Sequence, residues 1–351
     1  MENRKFGFAI VGTGSIAGIH AQAIAALDNG VLLGVFSKTE EKAKVFANQY
    51  SCKVYSSLED LIQIDGLDIV CICTPSGAHM EPALKSIKAG KHCLIEKPLE
   101  VSLDKCDEII DAAEENNVKV AVVYPTRFYP VSEELKKALN TDRFGNLVLG
   151  SAYVKWSRDE KYYNSAAWRG TWELDGGGAL MNQAIHSVDM LQWYMGDVES
   201  VQAITGNLKH KNIEVEDTAV AILRFKNGAL GTIECSTAVF PGAYKRLEIM
   251  GTKGSVVMED NSLHEWQFES KIDDDDRIKE SYSGNHLSKG GVANPMDISY
   301  YGHQKQMEDL IDAIVFDRKP LIDGIEGRKS VEIVRAIYDS AKTGKTITLP
   351  L

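Results

Sequence analysis

The opening strand–glycine–helix run limits the fold more than any other feature. Phe6–Val11 (FGFAIV) is an unbroken apolar stretch, the pattern of a strand buried on both faces. It leads straight into GTGSIA at 12–17, and Ser15–Leu27 follows at helical spacing. The unit then recurs. Val31–Ser37, Leu67–Thr74, His92–Glu96 and Lys119–Tyr124 read as further buried strands, with helices predicted over Glu40–Tyr50, Glu81–Ala89 and Leu103–Asn116. Strands and helices alternating in this way predict a parallel sheet with helices on both faces.

After Pro125 the pattern changes to period two. Leu147–Trp156, Val198–Gly206, Thr218–Phe225, Ala229–Thr237, Lys245–Met250 and Ser255–Glu259 alternate apolar and polar positions between Gly, Asn or Asp turns. Helices are predicted over Gly178–Met195, His303–Asp317 and Gly327–Lys342. At 351 residues the chain exceeds what one hydrophobic core serves. The expected class is α/β: a Rossmann parallel sheet over 1–125, and a substrate-binding and oligomerisation domain over 126–351 built on a large, mostly antiparallel open sheet. One face of such a sheet needs solvent or a partner, which favours a homo-oligomer, a dimer or tetramer. The acidic run Asp273–Asp276 is expected in a solvated loop, and the Ser-, Gly- and Asn-rich segment 270–296 in a mobile one.

The first turn carries chemistry. Gly12 permits the tight bend, Gly14 lets the backbone approach a pyrophosphate, and Ala17 allows close helix–strand packing. The backbone over Gly12, Thr13, Gly14, Ser15 and Ile16 would then hold the phosphates at the helix N-terminus. An NAD site usually carries a carboxylate at the end of the second strand, where it meets the ribose. Here stand Ser37, Lys38 and Thr39. Two hydroxyls and an ammonium suit a 2′-phosphate, so the expected cofactor is NAD(P), with a lean to NADP.

Composition removes other classes. The formal charge of −11 repels phosphate backbones and anionic lipid, so neither nucleic acid nor a membrane is an expected partner. No apolar stretch reaches the roughly 20 residues of a membrane span, and MENRKFGFAIVGTG lacks the features of a signal peptide. The six cysteines contain no C-x-x-C pair. They read as small core residues in a reducing cytoplasm, and no metal site is expected.

Three further segments, TPSGAH at 74–79, EKP at 96–98 and GGGALMNQAIHSVD at 176–189, stand in the order and spacing of the Gfo/Idh/MocA oxidoreductases. The chain resembles that family over almost its full length, including the closing AIYDSAKTGKTITL. The resemblance implies a dehydrogenase or reductase acting on CH–OH groups of a sugar, a sugar derivative (nucleotide sugar, anhydrosugar or 3-keto sugar) or a cyclitol. It assigns catalysis to Lys97 and His186. An ammonium at Lys97 would hold and polarise the reacting oxygen, and an imidazole at His186 would exchange its proton near neutral pH.

The same resemblance brings Thr74, Pro75, His79, Glu96 and Lys97 to the cofactor, together with Trp168, Arg169 and Tyr301. Substrate contacts fall to Lys97, Arg127, Tyr163, Asn182 and His186. Arg158, Tyr162 and Trp172 complete an aromatic and basic cluster, in which Tyr162 and Trp172 read equally well as packing. Many family members carry Asp where this chain has Asn182. An amide bonds a hydroxyl but exchanges no proton at neutral pH, so proton transfer is left to His186 or Lys97. Asp189, at i+3 from His186, would orient the ring or solvate the helix. The rival reading is a non-catalytic NAD(P)-binding sensor of the same fold.

Overall fold

The computed structural model describes residues 4–284 and 299–351. The chain divides into two compact units, Met1–Pro125 with Ser299–Arg328, and Thr126–Ile298 with Lys329–Leu351.

In the first unit apolar runs and helices alternate as β1 (Phe6–Val11), α1 (Ser15–Ala25), β2 (Gly30–Phe36), α2 (Glu40–Tyr50), β3 (Lys53–Val54), α3 (Leu58–Ile62), β4 (Leu67–Ile72), α4 (Met80–Lys88), β5 (His92–Ile95), α5 (Leu103–Glu115) and β6 (Val120–Val122). The strands form one parallel sheet in the order β3–β2–β1–β4–β5–β6. Strand order reverses between β1 and β4, the point at which doubly wound sheets receive a ligand. The GTG and TPSG segments follow the C-terminal ends of these two strands.

The second unit runs through α6 (Pro130–Asn140), β7 (Leu147–Lys155), α7 (Glu160–Asn164), a π-helical turn at Ala179–Ala184, α8 (Ile185–Met195), β8 (Val198–Gly206), β9 (Thr218–Phe225), β10 (Leu230–Ser236), β11 (Arg246–Gly251), β12 (Gly254–Glu259), β13 (Ser262–Phe268) and α9 (Asp274–Tyr282). After α10 (Tyr301–Val315), the chain closes with α11 (Gly324–Thr343) and β14 (Ile347–Thr348). The eight strands lie in the order β13–β12–β11–β7–β10–β9–β8–β14, antiparallel throughout except for β7 beside β10. The period-two pattern is realised directly. In β9, Ala219, Ala221, Leu223 and Phe225 are buried, while Val220 and Ile222 face outward.

Helix α10 packs with the first unit for a polar as well as an apolar reason. Met307 and Leu310 are fully buried in the same core as Phe8 and Ile10. The Gln306 amide extends the hydrogen bonding of edge strand β6. Its Nε2 donates to the Val122 carbonyl at 2.5 Å, and its Oε1 accepts from Tyr124 N–H at 3.1 Å.

The acidic run differs from its expected place in a solvated loop. Asp274–Asp276 begin α9, and Asp275 is buried. Its carboxylate accepts from both terminal nitrogens of Arg143 at 2.7 Å and from Trp266 Nε1 at 2.7 Å. Repulsion within the run is outweighed at this one position by a guanidinium 132 residues away. Of the segment expected to be mobile, 285–298 lie outside the described residues. All six cysteines are free thiols, and burial pushes Cys71, Cys73, Cys93, Cys106 and Cys235 well above the usual thiol range. Among the described residues no helix is long and apolar enough to cross a membrane.

Candidate active site

The glycine turn of the first unit fits a dinucleotide. Gly12 has φ +97°, and a Cβ there would stand 2.6 Å from the Cys73 carbonyl oxygen. At Gly14 a Cβ would meet nothing within 4 Å, so the turn is open where a phosphate has to come close. Helix α1 starts at Ser15 with no side-chain cap and no acidic residue in its first turn. Its leading N–H groups and dipole are thus left for an anion. At the end of β2, Thr13 Oγ1 donates to Ser37 Oγ at 3.1 Å, and Lys38 is exposed.

Lys97 is half-buried and joined to Pro98 by a cis peptide. The groups around it are fixed more tightly than the sequence suggests. His79, expected to line the cofactor, is buried. Its Nδ1 lies 2.8 Å from the Pro98 carbonyl and its Nε2 3.0 Å from the Thr74 carbonyl, so the ring ties the TPSGAH turn to the EKP turn. The Glu100 carboxylate, fully buried, accepts from the backbone N–H of His79, Met80 and Val101 and completes this brace. Glu96, expected at the nicotinamide ribose, also turns inward. Oε1 sits 2.8 Å from His20 Nε2 and 3.8 Å from His303 Nε2, and Oε2 accepts from Lys97 N–H at 3.2 Å. Burial opposes ionisation of Glu96, but the hydrogen bond with His20 and the proximity of His303 win and hold it well below the usual carboxylate range. Tyr301 opens α10 with its N–H on Ser299 Oγ.

In the second unit the glycine triplet leads into the π-helical turn that carries Asn182, and α8 then carries His186. The Asn182 amide is fixed at both ends. Nδ2 donates to Asp175, and Oδ1 accepts from Gln183 and, at 3.2 Å, from the Tyr162 hydroxyl. Arg169 donates to that hydroxyl at 2.7 Å and stacks on the rings of Tyr162 and Trp168 at 4.4 and 4.7 Å. Arg158 reaches Gln183 Oε1 at 3.0 Å. Tyr162 is therefore the polar centre of the cluster rather than packing alone.

Two further residues of the expected substrate site are held by buried partners. Tyr163, expected at the substrate, is buried and pairs its hydroxyl with Thr237 Oγ1 at 2.8 Å. Arg127 is 1% exposed and gives Nε and NH2 to the Asp189 carboxylate at 2.9 and 2.6 Å. Its charge is matched inside the unit. Trp172 packs edge-on against Tyr338 at 5.2 Å.

His186 lines a small, partly open pocket with Thr126, Ser187, Met190, Lys245, Arg246, Leu247, Met258 and Asp260. Burial lowers the Lys245 ammonium from its ordinary value and raises Asp260 to about 6. An imidazole, a cation and an acid thus share one small space. Asp175, Gln183, Lys245 and Asp260 were not singled out from sequence. Asp175 had a signal, a carboxylate directly before the glycine triplet; the others had none.

A dinucleotide turn on a doubly wound sheet, joined to an open-sheet unit with a polar histidine pocket, defines an NAD-binding oxidoreductase. Residues 6–124 match the oxidoreductase family model with the NAD-binding Rossmann fold, and residues 132–257 match the GFO/IDH/MocA C-terminal domain. The chain belongs to the Gfo/Idh/MocA family. It is similar to the WlbA dehydrogenase of Bordetella pertussis, solved with NADH and UDP-GlcNAcA, at 34% identity over 99% of this chain and 100% of that one, with a TM-score of 0.88. It is 30% identical to the myo-inositol 2-dehydrogenase of Thermotoga maritima over 70% of this chain and 73% of the relative. It is also 27% identical to the levoglucosan dehydrogenase of Pseudarthrobacter phenanthrenivorans over 84% and 83%.

Proposed function

We propose that this chain is an NAD(P)-dependent dehydrogenase acting on a secondary alcohol of a nucleotide-linked sugar acid. The observation that carries the reading is the end-to-end likeness to a dehydrogenase solved with NADH and UDP-GlcNAcA, in a chain that keeps Lys97 and His186. When bound, the nicotinamide supplies the carbon that exchanges hydride with the carbinol. Residues of the turn at 12–16, with Thr74 and Pro75, hold the dinucleotide. Lys97 holds the reacting oxygen and stabilises its developing negative charge. His186 takes the hydroxyl proton.

Asn182 orients a hydroxyl and moves no proton, because an amide exchanges none at neutral pH, and its bonds to Asp175, Gln183 and Tyr162 fix its orientation. Arg158, Arg169 and Lys245 supply local positive charge against an overall −11, as an anionic sugar nucleotide requires. Exposed Lys38, with no carboxylate among Ser37, Lys38 and Thr39, keeps NADP ahead of NAD. The outward apolar face of the second unit's sheet supports a homo-oligomer.

The test is nicotinamide reduction by the purified chain with UDP-GlcNAcA, UDP-GlcNAc, levoglucosan and myo-inositol, each with NAD and NADP. Turnover is expected with UDP-GlcNAcA. Silence across the panel with tight cofactor binding would instead favour a non-catalytic sensor.

A further inference from the structure

The glycine triplet at 176–178 is explained by what occupies its surroundings. A Cβ at Gly177 would fall 2.0 Å from the Tyr338 hydroxyl, and one at Gly178 1.8 Å from the Glu216 carbonyl oxygen. The backbone has to approach these two residues because they cap the turn that follows. Gly178 offers no side-chain cap to the π-helical turn. Glu216, just before β9 and only 5% exposed, supplies it from a distance. Its Oε2 accepts from Gly178 N–H at 3.0 Å, and its Oε1 accepts from Leu180 N–H at 2.8 Å and from the Tyr338 hydroxyl at 3.0 Å. The Tyr338 oxygen in turn accepts from Met181 N–H at 3.3 Å. Three N–H groups at the head of the segment bearing Asn182 and His186 thus end on one buried carboxylate and its phenol partner.

We propose that Glu216, with Tyr338, is the positioning element of the catalytic turn: ionised, it clamps the N–H groups of Gly178 and Leu180 and so sets Asn182 and His186; protonated, it releases one of them. A carboxylate accepts with both oxygens, whereas a carboxylic acid has converted one of them into a donor. Among the described residues, no cation is paired with this carboxylate. The titratable groups that face it are Tyr338 from α11, Cys235 from β10 and Tyr163, with Asp217 next in the chain. Burial without a counter-charge raises Glu216 to about 7, so the switch falls in the neutral range and the clamp closes as pH rises through it.

The link to catalysis rests on the function proposed above, but the clamp is testable without any substrate. Hydrogen exchange over 178–182, corrected for intrinsic rate, should show protection rising about tenfold across pH 7 in the unaltered protein. Glu216→Gln should show lower protection with no such rise, and Tyr338→Phe an intermediate level. A pH-dependent rise that persists in Glu216→Gln overturns the clamp. Thermal unfolding checks that each variant is folded, and Tyr338→Phe carries the test if Glu216→Gln is not. With UDP-GlcNAcA and NAD, Glu216→Gln should lower kcat, flatten its pH profile near 7 and leave NAD affinity unchanged. An unaltered kcat profile beside lost protection would refute the catalytic role alone. Absence of turnover in the unaltered protein would refute the proposed function and leave the exchange result to judge the clamp.

Discussion

At the level of single residues, several groups that sequence motifs mark are held by buried hydrogen-bond and ion-pair partners. Lys97 and His186 are half-buried, whereas His79, Glu96 and Arg127 are buried against named partners. The Arg127–Asp189 pair shows why spacing alone misleads. Asp189 stands three residues from His186, yet its two oxygens accept from a guanidinium 62 positions earlier. Both partners are 1% exposed, so removing one strands the other's charge in the interior. Arg127→Met should cost about 3–5 kcal/mol in urea unfolding, and Arg127→Met with Asp189→Leu should recover most of it. A loss within about 1 kcal/mol for the single change would mean the pair is solvated, as surface pairs are.

Among the elements, the long periodic stretches were legible and the short or crowded ones were not. β1, β8, β9 and α2 run over the residues that their apolar spacing marks. β3 and β14 have two residues each, too few to show a period, and they exist because a longer neighbour offers an edge. β13 was hidden differently. Its alternation is broken by a register shift opposite Val257/Met258 and by the polar pair His264–Glu265. In the acidic run, four like charges concealed one buried member. Burial opposes ionisation of Asp275, but the hydrogen bonds from Arg143, Ile272 N–H and Trp266 prevail and hold it at about 2. Because the folded value lies below the usual one, its stabilisation is present above about pH 4 and lost as pH falls toward 2. Asp275→Asn should therefore be about 2 kcal/mol less stable at neutral pH, with the gap closing near pH 2. A gap of constant size across that range in denaturant melts would assign the effect to packing.

For the molecule as a whole, charge and length say nothing of where a partner binds. The clearest surface statement comes from the second sheet, whose outward face carries Ile204, Val220, Ile222 and Leu230 at 79, 49, 55 and 49% exposure. Ile233, also on β10, points inward at 2%. Ile204 and Val220 lie side by side on β8 and β9, with Ile222 two residues further along β9, whereas Leu230 on β10 pairs with Arg224. Val220→Glu with Ile222→Glu should convert an assembled form to monomer in sedimentation without unfolding it. An unaltered protein that already sediments as a monomer would remove the assembly. The most direct test of the central claim is nicotinamide reduction with UDP-GlcNAcA, comparing the unaltered chain with Lys97→Met. The unaltered chain should turn over, and Lys97→Met should lose about 10³-fold in kcat with cofactor affinity intact. Near-normal turnover in Lys97→Met would contradict the assignment of the reacting oxygen to Lys97.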